Sequence, residues 1–85
     1  MSVAVLLAKD AQADYEDLPA TIQARVNDVI ERLKQWPNVS GAKPLRREWS
    51  GHFRIRTGDW RVIFRPVTPC LLVVRIKHRS EVYED

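Results

Sequence analysis

The stretch FRIRTGDWRVIFR, residues 53–65 of this 85-residue chain, alternates between apolar and cationic side chains on both sides of a central Gly-Asp pair. Alternation with a period of two is typical of a β-strand that buries one face. Glycine at the first position of a two-residue loop is typical of a β-hairpin turn. The stretch therefore predicts two antiparallel strands, residues 53–57 and 60–65, joined at Gly58 and Asp59.

The predicted hairpin has two faces of opposite character. Arg56 lies opposite Arg61 in this pairing, and alternate side chains of both strands share a face. The apolar face offers a surface for helices and carries Phe53, Ile55, Trp60, Val62 and Phe64. The other face carries His52, Arg54, Arg56, Arg61 and Arg65. Like charges directly across a sheet repel each other, so this face indicates an anion-binding site. The alternative interpretation is that the arginines simply extend into water.

The rest of the chain supplies further strands and helices. Residues 3–7 form a short apolar run typical of a buried strand. Two amphipathic helices follow between residues 10 and 36, the first capped by Asp10 and the second beginning at Pro19. Pro66 and Pro69 are expected to break the chain before a last strand at residues 71–77.

These elements predict a single α+β domain spanning residues 1–85. Two N-terminal helices are expected to pack on one face of a small, mainly antiparallel four-stranded sheet, in the chain order β-α-α-β-β-β.

Charge is unevenly distributed along the chain. The net charge is +3, but residues 43–79 carry ten basic side chains against two acidic ones, and eight of the ten are arginine. The planar guanidinium group suits phosphate, so the block indicates a polyanionic partner. A well-solvated basic surface is the alternative.

Several classes of protein are excluded at this stage. A single cysteine, Cys70, cannot form an internal disulfide, and it has no partners at metal-ligand spacing. The apolar run after Ser2 is too short for a membrane span and lacks the basic start of a signal peptide. We expect a cytoplasmic protein with no membrane contact, no metal and no cofactor.

Two further candidates for chemistry follow the last predicted strand. His78 lies among Arg75, Lys77 and Arg79, and a neutral imidazole in such surroundings is available as a base. Tyr83 can stack on a base or donate a hydrogen bond to a phosphate oxygen. A lone histidine or tyrosine near a terminus is more often ordinary surface, so both candidates depend on grouping with the arginine face.

The hairpin and the closing segment together resemble the RelE/ParE toxin superfamily. The hairpin signature is G-x-(Y/F)-R-(I/V)-R-x-G-D-(Y/W)-R, here residues 51–61, and the closing signature is H-R-x-x-V-Y, here residues 78–83. The helix pair between residues 10 and 36 also fits, so the resemblance spans nearly the whole chain.

The resemblance implies a type II toxin with a cognate antitoxin. RelE-like members are ribosome-dependent endoribonucleases that cut mRNA in the ribosomal decoding site, whereas ParE-like members poison DNA gyrase. Tyr83 matches the RelE-like branch. The ribosome and its mRNA are therefore expected partners. A gyrase inhibitor, or an inactive member that acts only in the toxin–antitoxin complex, is the alternative.

The resemblance also implies a catalytic set. It comprises Arg54, Arg56, Arg61, Arg79 and Tyr83, and side-chain chemistry adds His78. The other basic side chains expected to contact RNA are Lys43, Arg46, Arg47, Arg65 and Lys77. Arg54 and Arg56 occupy positions often held by lysine in one branch, and arginine does not readily give up a proton. Proton transfer is therefore predicted for His78, with Glu48 or Glu81 as alternatives for the base.

Overall fold

The computed structural model describes residues 2–81, which form a five-stranded sheet with two helices on one side. The strands are β1 (Ala4–Leu7), β2 (Lys43–Pro44), β3 (Phe53–Thr57), β4 (Trp60–Val67) and β5 (Cys70–His78), and the helices are α1 (Lys9–Glu16) and α2 (Ala20–Leu33). Short 3-10 turns span Arg47–Trp49 and Arg79–Glu81. Neither helix has the length and the hydropathy that a membrane span requires within residues 2–81.

The strand order across the sheet is β1-β5-β4-β3-β2. β1 runs parallel to β5, and every other neighbouring pair is antiparallel. The predicted fold class, two helices on one face of a mainly antiparallel sheet, is confirmed. The two-residue strand β2 is a fifth strand that the sequence pattern did not reveal, because so short a run shows no alternation.

The hairpin register is as the sequence predicts. Thr57 pairs with Trp60, and Arg56 pairs with Arg61. Gly58 has a φ of 60°, in the left-handed region where a side chain is disfavoured, so the turn requires glycine at this position.

The start of α1 differs from the prediction. Ala8 occupies the cap position and offers no side-chain hydrogen bond, so the prediction that Asp10 caps the helix is wrong. Asp10 lies one residue inside the helix, in its first turn. A carboxylate there still interacts favourably with the positive end of the helix dipole.

The core lies between the helices and the apolar face of the hairpin. Its fully buried members are Ala11, Val26, Val29 and Leu33 from the helices and Ile55, Val62, Phe64, Leu71 and Val73 from the sheet. Trp36, just beyond α2, meets Phe53 and Phe64 edge-on at centroid distances of 5.1 and 5.3 Å. Such aromatic pairs add about 0.5–1.5 kcal/mol each beyond their burial, so they fix the end of α2 to the hairpin.

An irregularity in β5 decides which of its side chains enter the core. Ile63 pairs with Arg75, but the next residue, Phe64, pairs with Val73, so Val74 is an extra residue in β5. Strict alternation cannot place Ile76 and Val73 on one face, yet both lie in the core cluster. The extra residue at Val74 shifts the phase of the strand and allows both to be buried.

β4 continues to Val67, so the expectation that Pro66 breaks the chain is wrong. Pro66 pairs with Leu71 of β5, whereas β3 begins at Phe53, opposite Phe64. A proline lacks only the N–H of its own residue. Because β3 does not extend as far as Pro66, β4 has no β3 partner at this position that would need that N–H.

Candidate functional site

Cationic side chains form two rows across the sheet face that points away from the helices. Arg56 of β3, Arg61 of β4 and Lys77 of β5 are in register and make the first row. The second row contains Lys43, Arg54, Ile63 and Arg75. Directly paired residues in a sheet have neighbouring side chains. We call the surface formed by Lys43, Arg54, Arg56, Arg61, Arg75 and Lys77 the cationic face.

Two arginines of the cationic face are buried. Arg54 is 6% exposed and Arg61 is 7% exposed, and Ile63 beside them is fully buried. A buried guanidinium group is tolerated only when it is compensated, and Arg54, Arg56 and Arg61 each interact with another group of the chain. The interpretation that Arg54 and Arg61 extend into water is therefore wrong. Arg56, in contrast, is exposed.

The remaining predicted RNA contacts lie at the periphery of the cationic face. Lys43 pairs with Arg54 at the sheet edge. Arg46 and Arg47 lie at the start of the 3-10 turn before β3, and Arg65 lies further along β4; all three are exposed.

Arg79 is tied to the hairpin turn. Its backbone N–H donates to the Asp59 carbonyl oxygen at 2.7 Å, and its Nε lies 3.7 Å from Asp59 Oδ1. Its side chain therefore lies at the hairpin end of the sheet, next to the turn that joins β3 and β4.

His78 lies on the helix-covered side of the sheet. It pairs with Trp60, and the two ring centroids are 5.2 Å apart in an edge-on arrangement. The structure does not bring His78 together with the arginines, so the expected grouping is wrong. The physical reason is that successive side chains of a strand point to opposite faces. Since Lys77 pairs with Arg61, the side chain of His78 lies on the other face, next to Trp60.

The ring of His78 accepts a hydrogen bond within its own turn. The Ser80 backbone N–H donates to His78 Nδ1 at 3.3 Å, and Ser80 Oγ lies 2.9 Å from the same nitrogen. A backbone N–H can only donate, so Nδ1 is the acceptor and the hydrogen of the neutral ring is on Nε2.

The other predicted acid–base residues lie in different places. Glu81 Oε2 is 3.7 Å from Lys77 Nζ, and Glu81 Oε1 accepts a hydrogen bond from the His78 backbone N–H at 3.3 Å. Glu48 is exposed in the 3-10 turn before β3. Tyr83 lies outside the described residues.

An ion pair that the sequence analysis missed orients one cation of the face. Asp14 of α1 accepts hydrogen bonds from Arg75 Nε at 2.8 Å, from Arg75 Nη2 at 3.0 Å and from the Ile76 backbone N–H at 2.9 Å. Burial alone would raise the pKa of Asp14, but the hydrogen bonds from Arg75 and Ile76, together with the charges of Arg75 and Lys77, hold it below its ordinary 3.8. Helical spacing marks Asp14 only as a carboxylate on the same helix face as Ala11 and Leu18, both of which the structure buries, and it does not indicate the partner.

This arrangement is suited to binding phosphate groups. It offers fixed guanidinium groups, an ammonium group and a neighbouring carboxylate on one side of the sheet. Within residues 2–81, no three His, Cys, Asp or Glu side chains are grouped so that they could hold a metal ion.

Comparison with known proteins gives a consistent result. Residues 5–83 match the family described as "ParE toxin of type II toxin-antitoxin system, parDE". Toxin RelG of Mycobacterium tuberculosis (strain ATCC 25618 / H37Rv) is 33% identical over 86 residues, which cover 98% of each chain.

Solved structures share the fold. A chain of the Mycobacterium tuberculosis toxin–antitoxin complex RelBE2 is 30% identical, with a TM-score of 0.81 over 93% of this chain and 100% of that chain. A chain of the intact E. coli RelBE complex is 11% identical, with a TM-score of 0.74 over 91% of this chain and 96% of that chain, which shows the fold alone. The family match and the two Mycobacterium relatives cover nearly the whole chain, so this protein belongs to the ParE toxin family and is the toxin of a type II toxin–antitoxin system.

Proposed function

We propose that this toxin is an endoribonuclease that cuts mRNA in the ribosomal decoding site and so stops translation. The observation that carries the proposal is the row Arg56–Arg61–Lys77, in which three cations are in register across adjacent strands. Guanidinium and ammonium groups bind phosphate oxygens through charge-assisted hydrogen bonds. A phosphate group that lies along this row is next to cations from three strands, which supports the proposal.

The proposed reaction is attack of a ribose 2′-oxygen on the adjacent phosphorus. The P–O5′ bond breaks, one proton leaves the 2′-hydroxyl, one proton reaches the 5′-oxygen, and the products are a 2′,3′-cyclic phosphate and a 5′-hydroxyl end. The charge that develops on the phosphate oxygens is stabilised by Arg54, Arg56 and Arg61. Because Arg54 and Arg61 are buried and already held by other groups of the chain, they need little reorganisation during the reaction.

Proton transfer is assigned to the groups nearest the row. Lys77 is the member of the row that can give up a proton, since arginine remains charged, so it is the proposed acid for the 5′-oxygen. Glu81 is the proposed base for the 2′-hydroxyl, because its carboxylate lies 3.7 Å from Lys77 Nζ. His78 was the first expectation for this step, but its ring packs against Trp60 on the other side of the sheet.

The other basic residues are proposed to hold the RNA and the ribosome. Arg79 lies at the hairpin turn, Lys43 lies at the sheet-edge end of the cationic face, and Arg46, Arg47 and Arg65 lie around it. Tyr83 keeps its role as a base-stacking residue from the family resemblance. Cations at the periphery supply salt-dependent attraction for a nucleic acid backbone. Action on ribosomes places the proposed activity in the cytoplasm.

A cognate antitoxin is the second proposed partner. The RelBE2 and RelBE relatives are toxin–antitoxin complexes by description. An antitoxin that neutralises this toxin is expected to cover part of the cationic face, since that face would otherwise remain available to RNA.

Inhibition of DNA gyrase without hydrolysis is the second candidate function. The family description, ParE toxin of parDE, favours it. Both functions are tested by inducing the toxin in cells and mapping mRNA 5′ ends. Cuts within translated codons support the nuclease, whereas a DNA-damage response without cuts supports the gyrase inhibitor. Induction of Arg61→Ala and of Arg32→Ala, which removes one exposed arginine from α2, controls for loss of charge alone.

A further inference from the structure

An open cleft of about 580 Å³ adjoins the cationic face, and nothing in the proposed reaction uses it. One wall is the start of α1, with Lys9 and Asp10, and another contains Trp49 and His52. Val74, the extra residue of β5, and Arg75 complete the lining. The cleft therefore joins an aromatic wall to one end of the second cationic row.

The aromatic wall is held in place by local contacts. The rings of Trp49 and His52 meet edge-on with centroids 5.3 Å apart, and both side chains are half-buried. His52 Nδ1 lies 3.3 Å from the Ser50 carbonyl oxygen, and since a carbonyl can only accept, Nδ1 is the donor. Both rings are thus oriented before any ligand arrives.

Arg75 connects this wall to the path of a nucleic acid backbone. Its guanidinium group is fixed by the two hydrogen bonds to Asp14 and belongs to the same register row as Lys43 and Arg54. A strand whose phosphates follow that row reaches Arg75 at its end. A base of a nucleotide held at Arg75 would lie next to Trp49 and His52, because all three residues line the same cleft.

We propose that this cleft binds one unpaired nucleobase of the RNA strand held on the cationic face. The inference rests on the proposed function and adds a base-binding subsite to it. Proteins that bind single-stranded RNA stack bases on aromatic side chains next to basic grooves. An aromatic wall beside an oriented guanidinium group is this combination, and it is separate from the residues assigned to the reaction.

The test is a titration of the full chain with a mixed-sequence RNA hexanucleotide in which every 2′-hydroxyl is methylated, so that the 2′-oxygen cannot attack. The chain has three tryptophans, and their indole N–H signals are followed by NMR, with the Trp49 signal assigned from Trp49→Phe. We expect the Trp49 signal to move with the hexanucleotide and to stay in place with an abasic ribose-phosphate chain of the same length. Trp49→Ala is expected to weaken binding of the hexanucleotide about tenfold to hundredfold, and Trp49→Phe to change it less than threefold.

Each result separates the cleft from the reaction. If the hexanucleotide shifts arginine side-chain signals of the cationic face while Trp49 does not respond, the cleft proposal is wrong and the nuclease proposal stands. If the cleft binds a segment of the antitoxin instead, the Trp49 signal moves with antitoxin and not with RNA, which also overturns it.

If the free toxin binds no oligonucleotide, single-turnover cleavage on programmed ribosomes decides. Equal rates for folded Trp49→Ala and Trp49→Phe then refute the cleft, and absence of cuts with the unaltered toxin refutes the nuclease itself.

Discussion

Asp14 and Arg75, 61 residues apart in the chain, form a two-pronged ion pair that closes the edge of β5 beyond the end of β1. β1 ends opposite Val73, and the next available backbone N–H, that of Ile76, donates to the same carboxylate. One side chain of α1 thus replaces the missing strand partner and orients a cation of the functional face. A single residue therefore links stability of the sheet edge to the geometry of the site.

The first prediction concerns acid stability. The folded-state pKa of Asp14 lies below its ordinary 3.8, so its contribution is complete above that value and disappears as the pH falls through the lowered pKa. Asp14→Asn is expected to lower the free energy of unfolding by about 1–3 kcal/mol at neutral pH. As the pH falls, its melting temperature is expected to decline less steeply than that of the unaltered chain. Thermal unfolding from about pH 2 to pH 6 measures this. Asp28→Asn, an exposed carboxylate of α2, is the control, and an identical acid profile for both variants would contradict the assignment.

The second prediction uses two valines of one strand. Val62 is fully buried beneath the helices, whereas Val67 is 42% exposed near the end of β4. Val62→Ala is expected to cost about 2–3 kcal/mol of unfolding free energy, because two methyl groups are lost from the core and a cavity remains. Val67→Ala is expected to cost less than about 1 kcal/mol. Urea unfolding measures both, and equal midpoints would mean that the apolar face of the hairpin is not the core.

The third prediction concerns the centre of the cationic row. Arg61→Ala is expected to reduce single-turnover cleavage about a hundredfold to a thousandfold, the usual effect of losing one group that stabilises transition-state charge. Arg32→Ala removes the same charge from α2, where the side chain donates to the Ser40 carbonyl oxygen, and is expected to retain activity. Growth arrest by a folded Arg61→Ala variant would show that Arg61 does not have the proposed role in the reaction.

Much of this site follows from the sequence because a two-residue period is a local property. The pairing of Arg56 with Arg61 needs only the position of Gly58 in the turn. The residue of β5 that pairs with Arg61 could not be predicted in this way, because the register between β4 and β5 depends on the whole sheet. The sequence therefore predicted that His78 groups with the arginines, whereas the residue that pairs with Arg61 is Lys77.

The burial of Arg54 and Arg61 could not be predicted from alternation either. An arginine that points away from the helices is expected to meet water, yet Arg54 and Arg61 lie around the buried Ile63. The partner of Asp14 was equally invisible, because ion pairs between distant segments leave no spacing in the sequence.

The fourth prediction separates two roles for His78. If its task is to accept the hydrogen bond from the Ser80 N–H, asparagine can replace it, because an Asn side-chain oxygen bonds the N–H two residues ahead in the same way. We expect the cleavage rate of His78→Asn to stay within about tenfold of the unaltered toxin. Loss of a positioned acid or base would instead lower the rate about a hundredfold to ten-thousandfold. His78→Ala is expected to cleave more slowly than His78→Asn. Single-turnover rates across the neutral pH range measure this. Equal, large losses in both variants with an altered pH profile would restore the acid–base role.

The fifth prediction concerns the antitoxin. Arg56 and Arg65 are the exposed arginines of the hairpin, so reversing both charges (Arg56→Glu with Arg65→Glu) leaves the core untouched. The double variant is expected to bind the cognate antitoxin at least tenfold more weakly at low salt, with a smaller difference at high salt. Calorimetric titration at two salt concentrations measures the effect. Unchanged affinity would point to attachment through the helices.

The extra residue at Val74 also determines where this chain can change in length. On its two sides β5 runs in opposite phase: Leu71 and Val73 face inward before it, and Ile76 faces inward after it. Deleting Val74 would remove the extra residue and leave Leu71, Val73 and Ile76 in uniform alternation on the inward face, so β5 can lose this residue without exchanging its two faces. Thr68 and Pro69 lie in the exposed connection to β4. Changes in length among related chains are therefore expected at Val74 and at the turn before β5, and in both cases the same side chains stay in the core.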